Sequence, residues 1–472
     1  MKIEKIRISP DHKLAAFFLF FYAVIMVLAA FLSEGTYGGG DSWLHYQMAR
    51  FAPKHPYLFL DQWGKPLYTT IACLPSQFGF MGIKLFNISC ALLTAYLAYR
   101  MAKHQFEKFT WLAVVFVLSV PIYFVTTFSG LTESVFALCI MSAVYLFHIY
   151  RLSWAFVVIS FLPFIRSEGF LFLPLFALLG VYYRRWLALP FLVTGFVVFT
   201  ILGFIFKGTW NWVFGTNVYL TKPTNYGSGP WYHFFETHYA TFGWAYSVFL
   251  IIAIMAFLFR FKKDFRNREL HIQFVLLFGG LVLYFAAHSY FWYKGIFGSA
   301  GLERVMAGVG PCIGYTAFCG FQFLIKSNFG RFRAALNIML VLGVIWAFIM
   351  PRYVYSFPFE LTKFQKMEKE AVEYLKANNL DMYPIYYQDP FFPVQLKADP
   401  FDDVKSLNLY QHSNKAFKPN AIVLWDSHLC PRESLLPLNV MESNKVLLLK
   451  RFADRDEYNA NDTMEIRIYL TQ

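Results

Sequence analysis

The chain has 472 residues, of which 57% are hydrophobic and only 15% carry a charged side chain, a composition that excludes an ordinary soluble globule. The net charge is +13, but residues 352–472 hold 15 basic and 17 acidic residues, which leaves 27 basic and 12 acidic residues in 1–351. Because the excess basic residues lie mostly in short connections between apolar runs, they indicate membrane topology rather than nucleic-acid binding.

Apolar runs of membrane-spanning character recur along the first three quarters of the chain and predict a polytopic α-helical membrane protein. About eleven segments are expected, near residues 14–32, 78–99, 110–127, 133–150, 153–165, 169–183, 187–206, 243–261, 271–292, 305–325 and 334–350. With a cytoplasmic N-terminus, the inner connections hold 18 Lys and Arg and the outer ones nine. This bias predicts an extracytoplasmic C-terminal part. The expected location is the plasma (inner) membrane of a bacterial cell envelope, with the endoplasmic reticulum as the alternative.

Two domains are predicted. Residues 1–351 form a membrane catalytic domain whose long polar connections, 33–77 and 207–242, lie on the outer face. Residues 352–472 form a small extracytoplasmic α/β domain. Its predicted helix is "LTKFQKMEKEAVEYLKANNLD", which ends at the Asn-Asn pair. Its predicted strands are "MYPIYY", "NAIVLW", "KVLLLKRF" and "MEIRIYL".

Charged residues remain at the predicted outer ends of the apolar runs, where membrane burial makes charge costly, by ~2.5 kcal/mol or more at the centre of a span. They are Asp41, Asp61, Lys65, Lys84, Glu133, Arg166, Glu168, Glu303 and Arg304. Carboxylates gathered with Lys and Arg at one face suit a substrate with a phosphate head and a lipid tail. The cations would hold the phosphate, and a carboxylate would act as general base towards an acceptor.

The candidates in the first outer connection also have structural alternatives. Asp41 follows three glycines in "GGGDSWLHY" and can be the N-cap of a helix. His45 lies one turn further on the same helix face and can be an interfacial contact. Asp61 and Lys65 can form a surface ion pair in the turn "FLDQWGKPLYTT".

The later candidates have alternatives of the same kind. Glu133 stands at the start of a span that Ser129 and Thr132 can cap. Arg166 and Glu168, in "FIRSEGFLFLP", can form a local ion pair in a turn between spans. An isolated arginine at the outer start of a span, such as Arg304, can simply extend to the interface.

Several stretches resemble the GT-C superfamily, the multi-spanning glycosyltransferases that use polyprenyl-phosphate or dolichyl-phosphate sugars. Asp41 lies in the first outer loop, as in aminoarabinose transferases and protein O-mannosyltransferases. "WGKPLY" (63–68) resembles their Lys-Pro-Pro-Leu stretch. "GLTESVFAL" (130–138) is similar to a segment of GPI mannosyltransferases, and "ERVMAGVGP" (303–311) resembles an Arg-Tyr-then-Pro stretch. The layout of about eleven spans and an outer α/β domain also matches.

The resemblance implies that Asp41 is the general base and that Lys65 and Arg304 contact the donor phosphate. The charge pattern adds Glu133 as a second catalytic carboxylate and Arg166 as a further phosphate contact. The candidates for substrate binding are His45, Asp61, Lys84 and Glu168. No metal is assigned, because Asp41 is followed by Ser42 where several members of the superfamily carry adjacent acids.

The expected function is transfer of a sugar, with inversion, from a polyprenyl-phosphate donor to a lipid, glycan or protein acceptor on the outer face. The resemblance implies a hexosyl or mannosyltransferase-like enzyme. Two alternatives stay open: a flippase or transporter of a lipid-linked glycan, and a non-catalytic member that binds lipid-linked glycans. Edge-located charges and the lack of visible internal repeats favour the enzyme over the transporter.

Overall fold

The structure, a computed structural model, describes residues 9–215, 226–327, 330–409, 416–455 and 463–472. Most of these residues are helical. Among them, seven helices have the length and apolar composition to cross a membrane: Pro10–Leu32, Gly79–Gln105, Trp186–Lys207, Trp244–Lys263, Arg268–Lys294, Glu303–Lys326 and Gly330–Val354. A helix satisfies its own backbone hydrogen bonds, which is why such apolar runs adopt this form.

The bounds of the elements follow in chain order. The α-helices before the C-terminal part are α1 Pro10–Leu32, α2 Gly40–Phe51, α3 Pro66–Ser76, α4 Gly79–Gln105, α5 Leu112–Leu118, α6 Pro121–Thr126, α7 Glu133–His148, α8 Leu152–Ser160, α9 Leu173–Tyr182, α10 Thr194–Lys207, α11 Trp212–Gly215, α12 His233–Glu236, α13 His238–Thr241, α14 Trp244–Lys263, α15 Arg268–His271, α16 Gly279–Lys294, α17 Gly310–Lys326 and α18 Arg333–Val354. A π-helical stretch, Ile272–Phe278, joins α15 to α16. The 3-10 helices are Pro56–Leu60, Leu162–Phe164, Ser167–Leu171, Trp186–Val193, Glu303–Val309, Gly330–Phe332 and Leu380–Met382.

All eleven predicted segments fall on helical elements, but several are short. Three apolar helices have only 10–17 residues: Glu133–His148, Leu152–Phe164 and Ser167–Tyr182. The predicted segment 110–127 consists of two helices, α5 and α6, which are separated before Pro121 because a proline disfavours helical geometry in the residue that precedes it. The number of crossings therefore stays a prediction.

The described residues of the long connections include several short helices. The connection 33–77 contains α2, the 3-10 helix Pro56–Leu60 and α3. The connection 207–242 contains α11, α12 and α13, and its residues 216–225 lie outside the described part of the chain.

The C-terminal part contains helices α19 Lys363–Ala377, α20 Phe391–Leu396 and α21 Leu438–Glu442. Its strands are β1 Ile385–Tyr387, β2 Ser406–Asn408, β3 Ile422–Asp426, β4 Val446–Arg455 and β5 Thr463–Thr471. They form one mixed sheet in the order β2-β1-β3-β5-β4, with β2, β1 and β3 parallel and β5 antiparallel to both β3 and β4. The predicted helix and four predicted strands are confirmed, and β2 was not predicted.

Helix α19 shows how local sequence fixes one of these elements. The Thr362 hydroxyl accepts a hydrogen bond from the Gln365 N–H at 3.1 Å, and the Gln365 side chain accepts one from the Thr362 N–H at 3.2 Å. This capping box satisfies two backbone donors at the helix start. The helix is followed by Asn378 and Asn379, and Asn379 adopts a left-handed conformation, as the Asn-Asn pair suggested.

Helix α2 contacts both the membrane helix α4 and helix α20 of the C-terminal part. The Gln47 side chain donates to the carbonyl of Pro390 at 2.8 Å, and the rings of Trp43 and Phe391 lie 5.1 Å apart. Asp399 accepts from His55 at 2.9 Å, just beyond the end of α2. The C-terminal part thus holds in place the helix that carries Asp41.

Candidate active site

Asp41 lies in the first turn of α2 and pairs with Arg304, which is 263 residues away in the chain. The same guanidinium donates to the Gly38 carbonyl at 2.6 Å, so it holds both the carboxylate and the loop that precedes it. The Asp41 side chain is 44% exposed, whereas the Arg304 side chain is 17% exposed. The carboxylate is therefore oriented from one side and open on the other.

The N-cap interpretation of Asp41 is wrong. The cap position is Gly39, whose φ of +56° lies in the region that favours glycine, and the helix begins at Gly40. Asp41 is nevertheless close to the exposed N–H groups of the first helical turn, which stabilise a negative charge. The alternative for Arg304, an isolated cation reaching towards the interface, is also wrong because its guanidinium is paired.

Lys65 is buried, so the alternative of a surface ion pair with Asp61 does not describe it. Its ammonium donates to the Ser167 hydroxyl at 3.1 Å, and its φ of +64° is uncommon for a residue with a side chain. Burial lowers the pKa of Lys65 to about 8, a shift that the nearby Glu168 carboxylate opposes. Lys65 also lines a small pocket with Gln62 and Trp212. It is a desolvated cation at a pocket wall.

Arg166 joins two carboxylates. Its Nη1 donates to Glu133 at 2.7 Å and its Nη2 to Glu168 at 3.0 Å. The Arg166 side chain is 15% exposed, that of Glu133 2% and that of Glu168 17%, so this is a buried network rather than a surface pair. His288, on α16, places its Nε2 3.4 Å from Glu168. Arg166 and Glu168 thus form the local ion pair that the sequence suggested, but they also contact Glu133 of α7 and His288 of α16.

His45 lies amid the charged groups. Its ring stacks on Trp63 at 4.8 Å and meets Tyr68 edge-on at 5.4 Å. Burial is the largest cause that lowers its pKa, to about 3, reinforced by Lys65, Arg166 and Arg304 and opposed by Asp41. The imidazole is therefore neutral. Its Nδ1 is buried without a hydrogen-bond partner among the described residues.

Two other candidates make contacts that favour a structural role. The Asp61 carboxylate accepts from the Gly64 N–H at 2.8 Å and shapes the turn that leads to Lys65. The Lys84 ammonium is buried and donates to the carbonyls of Ser33 at 2.7 Å and Ala30 at 3.3 Å. Lys84 therefore satisfies carbonyls at the end of α1, which the helix itself leaves without partners. Substrate binding by either residue stays a prediction.

His288 was not among the sequence candidates. An ionisable residue within an apolar segment is itself a functional signal, and "FAAHSYFWYK" (285–294) carries it. Ser167, which contacts Lys65, has no comparable signal, because a serine between two charged residues is common in turns.

Among the described residues, no group of three or more His, Cys, Asp or Glu side chains has an arrangement that could hold a metal ion.

No protein-family model matches the sequence, and no curated protein matches it. A solved structure does match: the crystal structure of ArnT from Cupriavidus metallidurans in the apo state. The match has a TM-score of 0.63, covers 98% of each chain and has 10% sequence identity. Such a match at low identity shows shared fold. The predicted fold class is confirmed: the chain is a multi-pass helical membrane protein with a small C-terminal sheet, and it shares the fold of ArnT.

Proposed function

We propose that the protein is a glycosyltransferase that moves a sugar from a polyprenyl-phosphate donor to an acceptor on the outer face of the membrane. The observation that carries the proposal is the convergence of charged groups from five separate chain segments around a neutral, buried histidine. These groups are Asp41, Lys65, Glu133, Arg166 with Glu168, and Arg304. The shared fold with ArnT supports the same reaction class.

The donor phosphate would lie near Lys65. A lysine is a compact cation suited to a phosphate, and burial strengthens such a contact because water screens it less. Arg304 would provide a second contact by sharing its guanidinium between Asp41 and the phosphate. Arg166 already directs both terminal nitrogens to carboxylates. Its part would be to hold Glu133 and Glu168 and to add positive potential.

Asp41 would be the general base, since it is the most exposed carboxylate among these ion pairs at the site. The acceptor hydroxyl would lose its proton to Asp41 while its oxygen bonds to the anomeric carbon. The bond from that carbon to the phosphate oxygen would break, and its electrons would leave with the polyprenyl phosphate. Lys65 and Arg304 would stabilise that leaving group. A single displacement of this kind inverts the anomeric configuration.

The roles of donor binding and catalysis can be separated by two substitutions. Lys65→Met should weaken binding of a polyprenyl-phosphate hexose, mannose among the first sugars to test. Asp41→Asn should retain donor binding and lose sugar transfer by about 10²–10⁴-fold, the range of general-base catalysis. Ser42→Ala, the neighbouring position, is the matched control and should leave transfer largely intact.

The transporter alternative predicts a different pattern. A flippase would move the labelled lipid between leaflets of a vesicle without any acceptor, and Asp41→Asn would not separate binding from turnover. Movement of intact donor with no free polyprenyl phosphate would overturn the transferase proposal.

A further inference from the structure

A second cavity, which shares no lining residue with the charged cluster, lies between the C-terminal half of α1 and the last turns of α18. It has a volume of about 490 Å³, within the range of ligand-binding pockets. Its wall is built mainly from apolar side chains: Ile25 of α1, Phe124 of α6, Phe348 and Ile349 of α18, and Phe357 beyond α18. A cavity of this kind suits hydrocarbon.

One charged side chain, Arg352, is part of the lining. It is exposed and lies in the last turn of α18, with its guanidinium carbon 5.6 Å from the centre of the Phe357 ring. An arginine beside an apolar cavity at a helix end is complementary to an amphiphile with an anionic head. Guanidinium groups bind phosphate oxygens bidentately, which adds specificity to the charge attraction.

The cavity also borders the segment that connects the membrane helices to the C-terminal part. Two residues beyond Phe357, the backbone of Phe359 accepts from the Gly35 N–H at 3.0 Å and donates to the Ser33 hydroxyl at 2.8 Å. Tyr355, two residues before Phe357, packs its ring 5.2 Å from the ring of Tyr37. A molecule in the cavity would thus contact the segment that anchors the loop before α2.

We propose that this cavity binds an anionic phospholipid, with an acyl chain between α1, α6 and α18 and the phosphate on Arg352. The bound lipid stabilises the junction between the membrane helices and the C-terminal part. The site is separate from the proposed donor site at Lys65, and the inference does not depend on the proposed reaction.

The test measures thermal stability of the full chain in detergent while dioleoylphosphatidylglycerol or dioleoylphosphatidylcholine is titrated in. The anionic lipid should stabilise the protein at lower concentration than the zwitterionic one. Arg352→Gln should weaken the apparent affinity for the anionic lipid about five-fold, the effect of one basic residue at an anionic lipid. Arg331→Gln, at the opposite end of α18, is the matched control and should leave that affinity unchanged.

A second pair of variants tests the acyl-chain site. Ile349→Trp should fill the cavity and abolish the stabilisation by anionic lipid, whereas Ile345→Trp, one turn earlier and outside the lining, should retain it. Equal stabilisation of the wild type by both lipids would overturn the proposal. So would an Arg352→Gln variant with unchanged lipid affinity, or displacement of the anionic lipid by equimolar polyprenyl phosphate, which would identify the cavity as the donor's lipid site.

Discussion

Replacement of Arg166 by methionine should strongly destabilise the protein. Methionine fills similar space but removes the two ion pairs that this arginine makes within the described part of the chain, those with Glu133 and Glu168. Glu133 is only 2% exposed, so the substitution would leave its carboxyl group without an ionic partner at a place that water cannot reach. Loss of one partner from a buried pair costs about 3–5 kcal/mol. We expect the free energy of unfolding to fall by that amount.

The assay is unfolding by SDS in mixed micelles, followed by circular dichroism. Arg100→Met is the matched control, because Arg100 donates to the Tyr96 hydroxyl at 3.0 Å, a contact worth about 1 kcal/mol. Addition of Glu133→Gln to Arg166→Met should restore part of the lost stability, since it removes the most deeply buried unpaired charge. If Arg166→Met costs no more than Arg100→Met, the three side chains do not form a buried ionic network, and this account of the site fails.

Three further predictions concern single residues. Lys84→Met should lower the free energy of unfolding by about 1–3 kcal/mol, because it leaves carbonyls at the end of α1 unpaired. Donor binding should stay unchanged. Weaker donor binding at unchanged stability would instead establish the predicted substrate contact. Donor capture, measured as kcat/KM, should fall as the pH rises through about 8, where Lys65 loses its proton. Lys65→Arg should remove that pH dependence, because arginine stays charged. If the variant keeps the pH profile of the wild type, Lys65 does not contact the phosphate. Burial raises the pKa of Asp389 to about 7, so the folded state retains a proton that the unfolded state loses from about pH 4 upwards. The free energy of unfolding should therefore fall between pH 4 and pH 7 and stay low above pH 7. In a pH series of unfolding measurements, Asp389→Asn should flatten this decline. An identical decline in the variant would show that Asp389 is not its source.

Much of the fold could be predicted because its signals are local. Apolar runs specify helices directly, and the helix at Lys363–Ala377 has both a capping box and an Asn-Asn end. Strand β2 has no such signal. It has three residues, Ser406–Asn408, and exists because it pairs with β1 at the edge of the sheet.

The candidate site could be predicted only in its residue types. That charged residues cluster at one end of the helices followed from the cost of charge in a membrane. Which residues pair did not follow, because Asp41 and Arg304 are 263 residues apart in sequence and meet only in the folded chain. The sequence also could not distinguish Lys65 at a pocket wall from Lys84 on backbone carbonyls, since both are lysines near apolar runs.

The proposed sugar transfer is tested most directly by the release of free polyprenyl phosphate from the purified protein. The protein would be placed in nanodiscs with a panel of polyprenyl-phosphate sugars labelled in the lipid, together with a membrane lipid and glycan extract as acceptor. We expect release by the wild type with at least one donor and almost none by Asp41→Asn, although the variant still binds that donor. Equal release by the two proteins, or tight donor binding by the wild type without release on any acceptor, would contradict it.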